Sequence, residues 1–423
     1  MRIPVFRALA AFAVLCATAA SLSAQQSAGR FQGASVDESA KKLDVGAPKQ
    51  DLSALGHVLA PGILFSPTIT MEAGFNSNPD EFFSGAEGSP YGLTNSTNVI
   101  GFLGDQGATT LTLRTTFLQY SGDIIDNRRW DAGAALDNAY TLAPGTLATF
   151  GIYYLRDELS LVASDNSGAY GQLAFREDGF ETFVRLKTDQ IDYLGSVANA
   201  SLTPTQLLLI QPSQFNFHRI EGASGFIFGP QARIGFYGEL GGANLDYYDQ
   251  AVENILDRDA TEIWGITGMR FNLHPTLTFD AGWRLNVRQV EDKSVDNQTT
   301  SFFDGSLTWT PMPTFSLRAE IDRTFAEPAS TFAIMTDKIH YGMSAAYQLR
   351  PDLQIGGALR HDQKEQIGDI YDYHETEVSL SLSYQWNEKT MIYGLALHEL
   401  VEEQTTGQSS EKFQIGAGTR MKF

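Results

Sequence analysis

His340 and Ser344 are the residues whose types and spacing come nearest to catalytic chemistry. Four positions apart in an extended chain, they share one face, the arrangement a serine nucleophile and its histidine base would need in a barrel esterase. The competing explanation is two unrelated polar residues on a wet face, and it is the favoured one. No G-x-S-x-G elbow exists to present a hydroxyl on a strand-to-helix turn. The seven histidines include no H-E-x-x-H and no close pair at metal-ligand spacing. Asp369/Asp372 and Glu375/Glu377 could act as acid/base carboxylates or Ca²⁺ ligands, but solvated loop charge explains them better. Gly416-Ala417-Gly418 is no phosphate loop, because no helix follows it. The reading is therefore no catalytic residue, no metal and no cofactor.

Charge on one side of alternating strands carries more information. By alternation the inward positions include Arg114, Arg185, Lys187, Asp189, Arg284, Arg288, Arg318, Glu320, Asp322, Arg360, Glu377, Lys412 and Arg420. If those strands form a closed wall, these side chains point inward and are expected to line a pore. Facing rows of opposite charge would then set a transverse field and a constriction that choose solutes. The alternative is that the ions merely pair across strands in a plugged or narrow lumen.

The elements that must position them are strands. In 411–423, Phe413, Ile415, Ala417, Thr419, Met421 and Phe423 take one face, and Lys412, Gln414, Gly416, Gly418, Arg420 and Lys422 the other. Lipid on one side and water on the other, with no free edge, is what a membrane barrel's closing strand needs. A terminal Phe after apolar residues at every second position also resembles the signal that bacterial outer-membrane barrels present to their assembly machinery. Phe423 is expected to be that signal. From Leu277 to Arg288 the same grammar puts Leu277, Phe279, Ala281, Trp283, Leu285 and Val287 outward, and Asp280, Arg284, Asn286 and Arg288 inward.

Tight links appear at Asp105-Gln106-Gly107, Ala143-Pro144-Gly145, Glu177-Asp178-Gly179 and Gly229-Pro230-Gln231, then at His274-Pro275-Thr276, Pro311-Met312-Pro313, Arg350-Pro351-Asp352 and Asn387-Glu388-Lys389. Most carry the Gly, Pro, Asn or Asp that such turns require. Longer polar segments lie between them, near 121–128, 157–167, 194–213, 249–259, 292–298, 327–336, 365–373 and 402–410. The fold expected is all-β, a transmembrane antiparallel up-and-down β-barrel of about 18 strands with short periplasmic turns and longer extracellular loops. A propeller of similar period fails, because each period holds two long strands rather than four short ones. The first strand is read over 63–75, followed by a long Gly/Asn/Ser/Pro stretch through Asn95. The longest candidates for a loop that folds inward are 76–95 and 194–214.

Aromatics cluster by height. Tyr140, Phe279, Trp309, Phe315, Tyr347, Trp386 and Phe423 lie near periplasmic ends, and Trp130, Tyr247, Phe302, Phe325 and Phe413 toward outer ends. Amphipathic rings at both headgroup levels are what a membrane barrel displays.

The front of the chain fits export. Residues 1–24 combine Arg2 and Arg7, an apolar run and small residues at 21–24, the pattern of a secretory signal peptide. The only cysteine, Cys16, lies within it, which leaves disulfides and thiolate chemistry out of the remainder. Residues 25–58 read as a polar periplasmic N-terminal segment and 59–423 as the barrel. No later apolar run reaches the ~18–20 residues of a spanning helix. A net charge of −20 repels nucleic acid, so that class of partner is excluded.

The hairpin from Leu307 to Arg318, with Arg323 following, resembles the β-barrel porins associated with exopolysaccharide gene clusters. The opening from Pro67 to Asn78 and the turns at Pro275 and Pro351 are similar to that group too. The resemblance implies an outer-membrane barrel, with some members tied to polysaccharide secretion, and carries over no catalytic residue. The expected function is a porin-like channel for passive diffusion of small or oligosaccharide solutes in the bacterial outer membrane. The alternatives are an accessory barrel for exopolysaccharide export and a non-transport structural barrel. Partners implied are outer-membrane lipid and lipopolysaccharide, the barrel assembly machinery and, under the export alternative, polysaccharide-export proteins. Homo-oligomer formation stays open, since nothing specifies a protomer contact.

Overall fold

The computed structural model describes residues 57–78, 88–104, 106–121, 128–158, 163–194, 216–248, 257–326, 333–368, 372–405 and 407–423. The expected signal peptide (1–24) and polar segment (25–58) lie outside these residues, except that His57 and Val58 open the first strand.

Chain order gives β1 (His57–Ala60), β2 (Ile63–Asn76), β3 (Ser89–Leu103), β4 (Gly107–Tyr120), β5 (Arg128–Ala143) and β6 (Thr146–Asp157). Next come β7 (Ala163–Glu177), β8 (Phe180–Leu194), β9 (Phe217–Phe228), β10 (Ile234–Tyr247), β11 (Ala260–His274) and β12 (Leu277–Val290). The series ends with β13 (Gln298–Met312), β14 (Phe315–Ala326), β15 (Met335–Arg350), β16 (Leu353–Ile367), β17 (Tyr373–Asn387), β18 (Thr390–Glu403) and β19 (Ser409–Lys422). Each strand from β2 onward pairs antiparallel with the next, and β19 returns to β2, closing an 18-strand barrel.

All eight tight links join consecutive strands at one end of the wall. At Pro144-Gly145 the proline fixes the first central φ and Gly145 takes φ 76°, which an L side chain would resist. The stretch from Ser89 to Asn95 is not loop: it is the first half of β3, paired with Thr70–Asn76 of β2. Its Ser, Gly and Asn look like turn residues, yet they alternate, with Ser89, Tyr91 and Asn95 buried on the inner face.

Closure explains β1. β19 pairs with β2 only from Asn76 to Thr68, and the Phe423 amide donates to the Pro67 carbonyl at 3.1 Å. Below that point β2 would present unpaired backbone toward lipid, where each unsatisfied group costs several kcal/mol. β1 fills the gap, pairing His57 with Phe65 and Ala60 with Ile63. The barrel therefore begins with a four-residue strand that continues the line of its last one.

From β2 onward the strands exceed the ~9–11 residues needed to span. Their outer faces are apolar toward the short turns and carry ions near the long connections, where Arg323 pairs with Asp337 and Arg156 with Asp165. The wall thus crosses the bilayer and projects beyond it on the side of the long connections.

Candidate functional site

Alternation sets which side chains the wall turns inward. On β12, Trp283 (53% exposed) and Leu285 face outward, while Asn286 and Arg288 are buried on the other side. Because all neighbours are antiparallel and in register, that assignment propagates around the ring.

The inner ions form pairs along the wall. Arg114 Nη2 lies 2.9 Å from Asp131, and Arg284 Nη2 is 2.7 Å from Asp304. Lys187 Nζ is 2.7 Å from Asp189 on the same strand, and the Tyr153 hydroxyl donates to that carboxylate. Arg185 reaches over β9 to Glu239 at 2.7 Å, passing Ala223; Trp264 Nε1 donates to the same oxygen. Arg360 contacts Glu375, Asp362 (3.4 Å) and Glu377 (4.0 Å), and Lys412 pairs with Glu399 at 3.1 Å. Arg420 Nε donates to the Thr70 hydroxyl at 3.4 Å.

Two arginines of equal charge sit in opposite environments. Arg288 is fully buried, in register opposite Glu262. Arg318 pairs with Glu320 at 2.8 Å on one strand yet remains 53% exposed. Asp322, the next inward residue on β14, stands opposite His340.

His340 is not paired with Ser344. Its Nδ1–H donates to Asp362 at 2.6 Å and its Nε2 faces Glu320 at 3.7 Å. Gly342 lies between them on β15; a Cβ there would come within 3.0 Å of both Glu320 and the ring. Ser344 sits farther along, opposite Arg318.

The height-based reading of the aromatics needs correction at three rings. Phe302 lies opposite inward Arg284, and Phe303 is the exposed neighbour. Tyr247 is buried with Phe217, Leu245 and Trp264 on the inner face, making that part of the wall apolar. Phe325 packs under Ile334 and Met335 rather than against lipid. Height along a strand does not fix which side a ring faces. At the periplasmic end the stacking of Tyr140 on Phe150 and the Trp309–Phe315–Tyr347 chain do form an outer-face series.

Three features were not found in the sequence. Glu72 on β2 receives hydroxyl donors from Tyr91 and Tyr393, and Tyr170 donates similarly to Asp137 at 2.5 Å. Arg258, in the connection before β11, is fully buried and donates to the Ala333 carbonyl at 2.9 Å; burial lowers its pKa to about 10. Around it, Asp257, Asp259 and Glu291 bring carboxylate oxygens within 4.8 Å of one another. Two of these serve the loop itself: Asp259 accepts from the Tyr247 amide and Asp257 from the Asp259 amide. Alternating tyrosines opposite small residues could have pointed to the first two features; nothing local signals the third.

Residues 221–423 match the family described as "Putative beta-barrel porin 2", from within β9 to the last strand. No curated protein sequence matches the chain. Similar solved structures include OpdK of Pseudomonas aeruginosa with vanillate, at 10% identity and TM-score 0.49, covering 85% of this chain and 98% of that one. A bacterial polysaccharide outer-membrane secretin is similar at 11% identity and TM-score 0.38, over 85% and 98%. The siderophore receptor PirA of Pseudomonas aeruginosa follows at 8% and 0.43, over 85% and 80%. The closed antiparallel wall makes the chain a bacterial outer-membrane β-barrel, and its second half, 221–423, is similar to that porin-type family.

Proposed function

We propose that this outer-membrane barrel is a water-filled channel for passive diffusion of small hydrophilic or oligosaccharide solutes, with no cofactor and no covalent chemistry. The observation that carries the reading is the closed 18-strand wall with ions on its inner face. Rings of 16–18 strands are wide enough for an aqueous lumen, whereas about eight are filled by their own side chains. Arg114, Arg185, Lys187, Arg284, Arg288, Arg318, Glu320, Asp322, Arg360, Glu377 and Arg420 belong to the lining in this proposal. Arg318 and Glu320 are the pair solutes touch. Ion pairs at Arg114, Arg185, Lys187, Arg284 and Arg360, within and between strands, stiffen the wall.

Supporting the non-enzymatic reading, both ring nitrogens of His340 face carboxylates, so no base is aimed at Ser344. Assembly machinery would read the apolar outer series of β19 that ends in Phe423. Conductance of the refolded protein in a planar bilayer tests the channel, and liposome swelling in sugars of graded size tests the solute class. A correctly folded barrel without conductance would remove the proposal.

A further inference from the structure

The extracellular mouth holds a connection that the wall alone does not require. Arg258 lies two residues before β11 and Ala333 two before β15. Four strand spacings separate β11 from β15 in the ring, roughly 19 Å along the wall at ~4.8 Å each. No arginine side chain spans that. Yet Arg258 Nε stands 2.9 Å from the Ala333 carbonyl oxygen. The gap is closed because the mouth ends of β14 and β15 leave the even wall: the β13–β14 ladder stops at Gly305 and Ile321, and the Asn286 side-chain amide of β12 donates past β13 to the Arg323 carbonyl of β14 at 3.1 Å.

Other contacts fix the same crossing. The Glu291 amide donates to the Asp259 carbonyl at 2.9 Å and the Asp257 amide to Asp292 at 3.0 Å, prolonging the β11–β12 ladder and holding Arg258 beside the connection between β12 and β13. Val295 of that connection packs on the buried group of Phe325, Ile334 and Met335. The Ile334 amide donates to the Ile367 carbonyl, continuing the β15–β16 ladder beneath it. A crossbar built from described residues of three connections thus runs from β11 to β15.

We infer that Arg258 fixes a crossbar over the extracellular mouth that sets the size limit of the channel, an inference that rests on the channel reading above. Its burial fits a structural tie: taking a guanidinium from water is costly, and the Nε bond to the Ala333 carbonyl offsets part of that cost. Arg258 is a positioning residue; it acts through the backbone it holds and does not touch the solute.

The test compares wild type with Arg258→Ala, Arg258→Lys and Val295→Ala in planar bilayers and in liposomes with sugars of increasing length. Val295→Ala loosens the crossbar at a different contact, and so covers the case in which Arg258→Ala fails to fold. Heat-modifiable migration in detergent gels monitors the wall. The expected result is a conductance at least about twofold higher in Arg258→Ala, an intermediate rise in Val295→Ala, passage of sugars excluded by wild type, and unchanged wall stability. Arg258→Lys, which keeps charge but loses the planar fork, should fall between wild type and Ala. Equal conductance and equal size limits in all folded forms would overturn it while leaving the channel standing. Silence in every form would overturn the channel, and the crossbar's role with it.

Discussion

Tyr393 on β18 donates its hydroxyl to Glu72 on β2 at 2.7 Å, spanning the closing strand β19 between them. The three residues Tyr393, Gly418 and Glu72 form one row: Tyr393 pairs with Gly418, and Gly418 with Glu72. A Cβ on Gly418 would lie 2.6 Å from the tyrosine hydroxyl and 2.5 Å from the Met71 carbonyl. The glycine is what lets the ring lie flat across the seam. Tyr91 reaches the same carboxylate from β3, so one buried ion gathers both sides of the closure.

Tyr393→Phe should therefore weaken the barrel by about 1.5–3 kcal/mol, the range for a hydrogen bond to a charged group. Gly418→Ala should cost a similar amount by overpacking, about 1–3 kcal/mol. Urea unfolding in detergent measures both. An unchanged midpoint in both variants would show that the seam does not depend on this row.

Deleting residues 57–60 should loosen the same seam from its lower end, since Ile63 to Phe65 then lose their backbone partners. The expected outcome is a lower heat-modifiability temperature with the wall otherwise retained. Full wild-type stability would mean β1 is dispensable.

Arg318→Ala and Arg288→Ala remove the same charge from very different surroundings. Arg318→Ala should shift the reversal potential toward cations, because Arg318 is open to solvent. Arg288→Ala should shift it less and instead destabilise, its side chain being fully buried. Reversal potentials across a KCl gradient decide; equal shifts would remove the distinction.

The connection from β12 to β13 should respond to acid. Hydrogen bonds from the Ser294 hydroxyl and amide hold the Asp292 pKa below its ordinary 3.8, and the Asp257 amide adds to this. A depressed carboxylate contributes stability above the unfolded value and loses it as pH falls through the folded one. Conductance should then be steady from about pH 8 to 5 and change only below about 4. A transition near neutrality would point to another group.

How much could be read in advance depended on the range of the interaction. The alternation of β19 was legible because lipid and water impose it residue by residue, and Phe413 and Ile415 are exposed while Lys412 is buried. The eight tight turns were legible because Pro and Gly act locally. Ser89 to Asn95 misread as loop because an inner face tolerates turn-like residues that pair well. Burial of Arg288 against exposure of Arg318 depends on neighbouring strands and on what covers the mouth. Arg258 joins Ala333 across 75 positions of sequence, and no local pattern encodes such a contact.

Single-channel recording of the refolded protein in a planar bilayer, at several salt concentrations, is the most direct test of the channel itself. The account expects steady open steps whose conductance rises with salt and whose reversal potential shifts in Arg318→Ala. A folded, membrane-inserted barrel that stays silent, with its mouth contacts intact or broken, would contradict it.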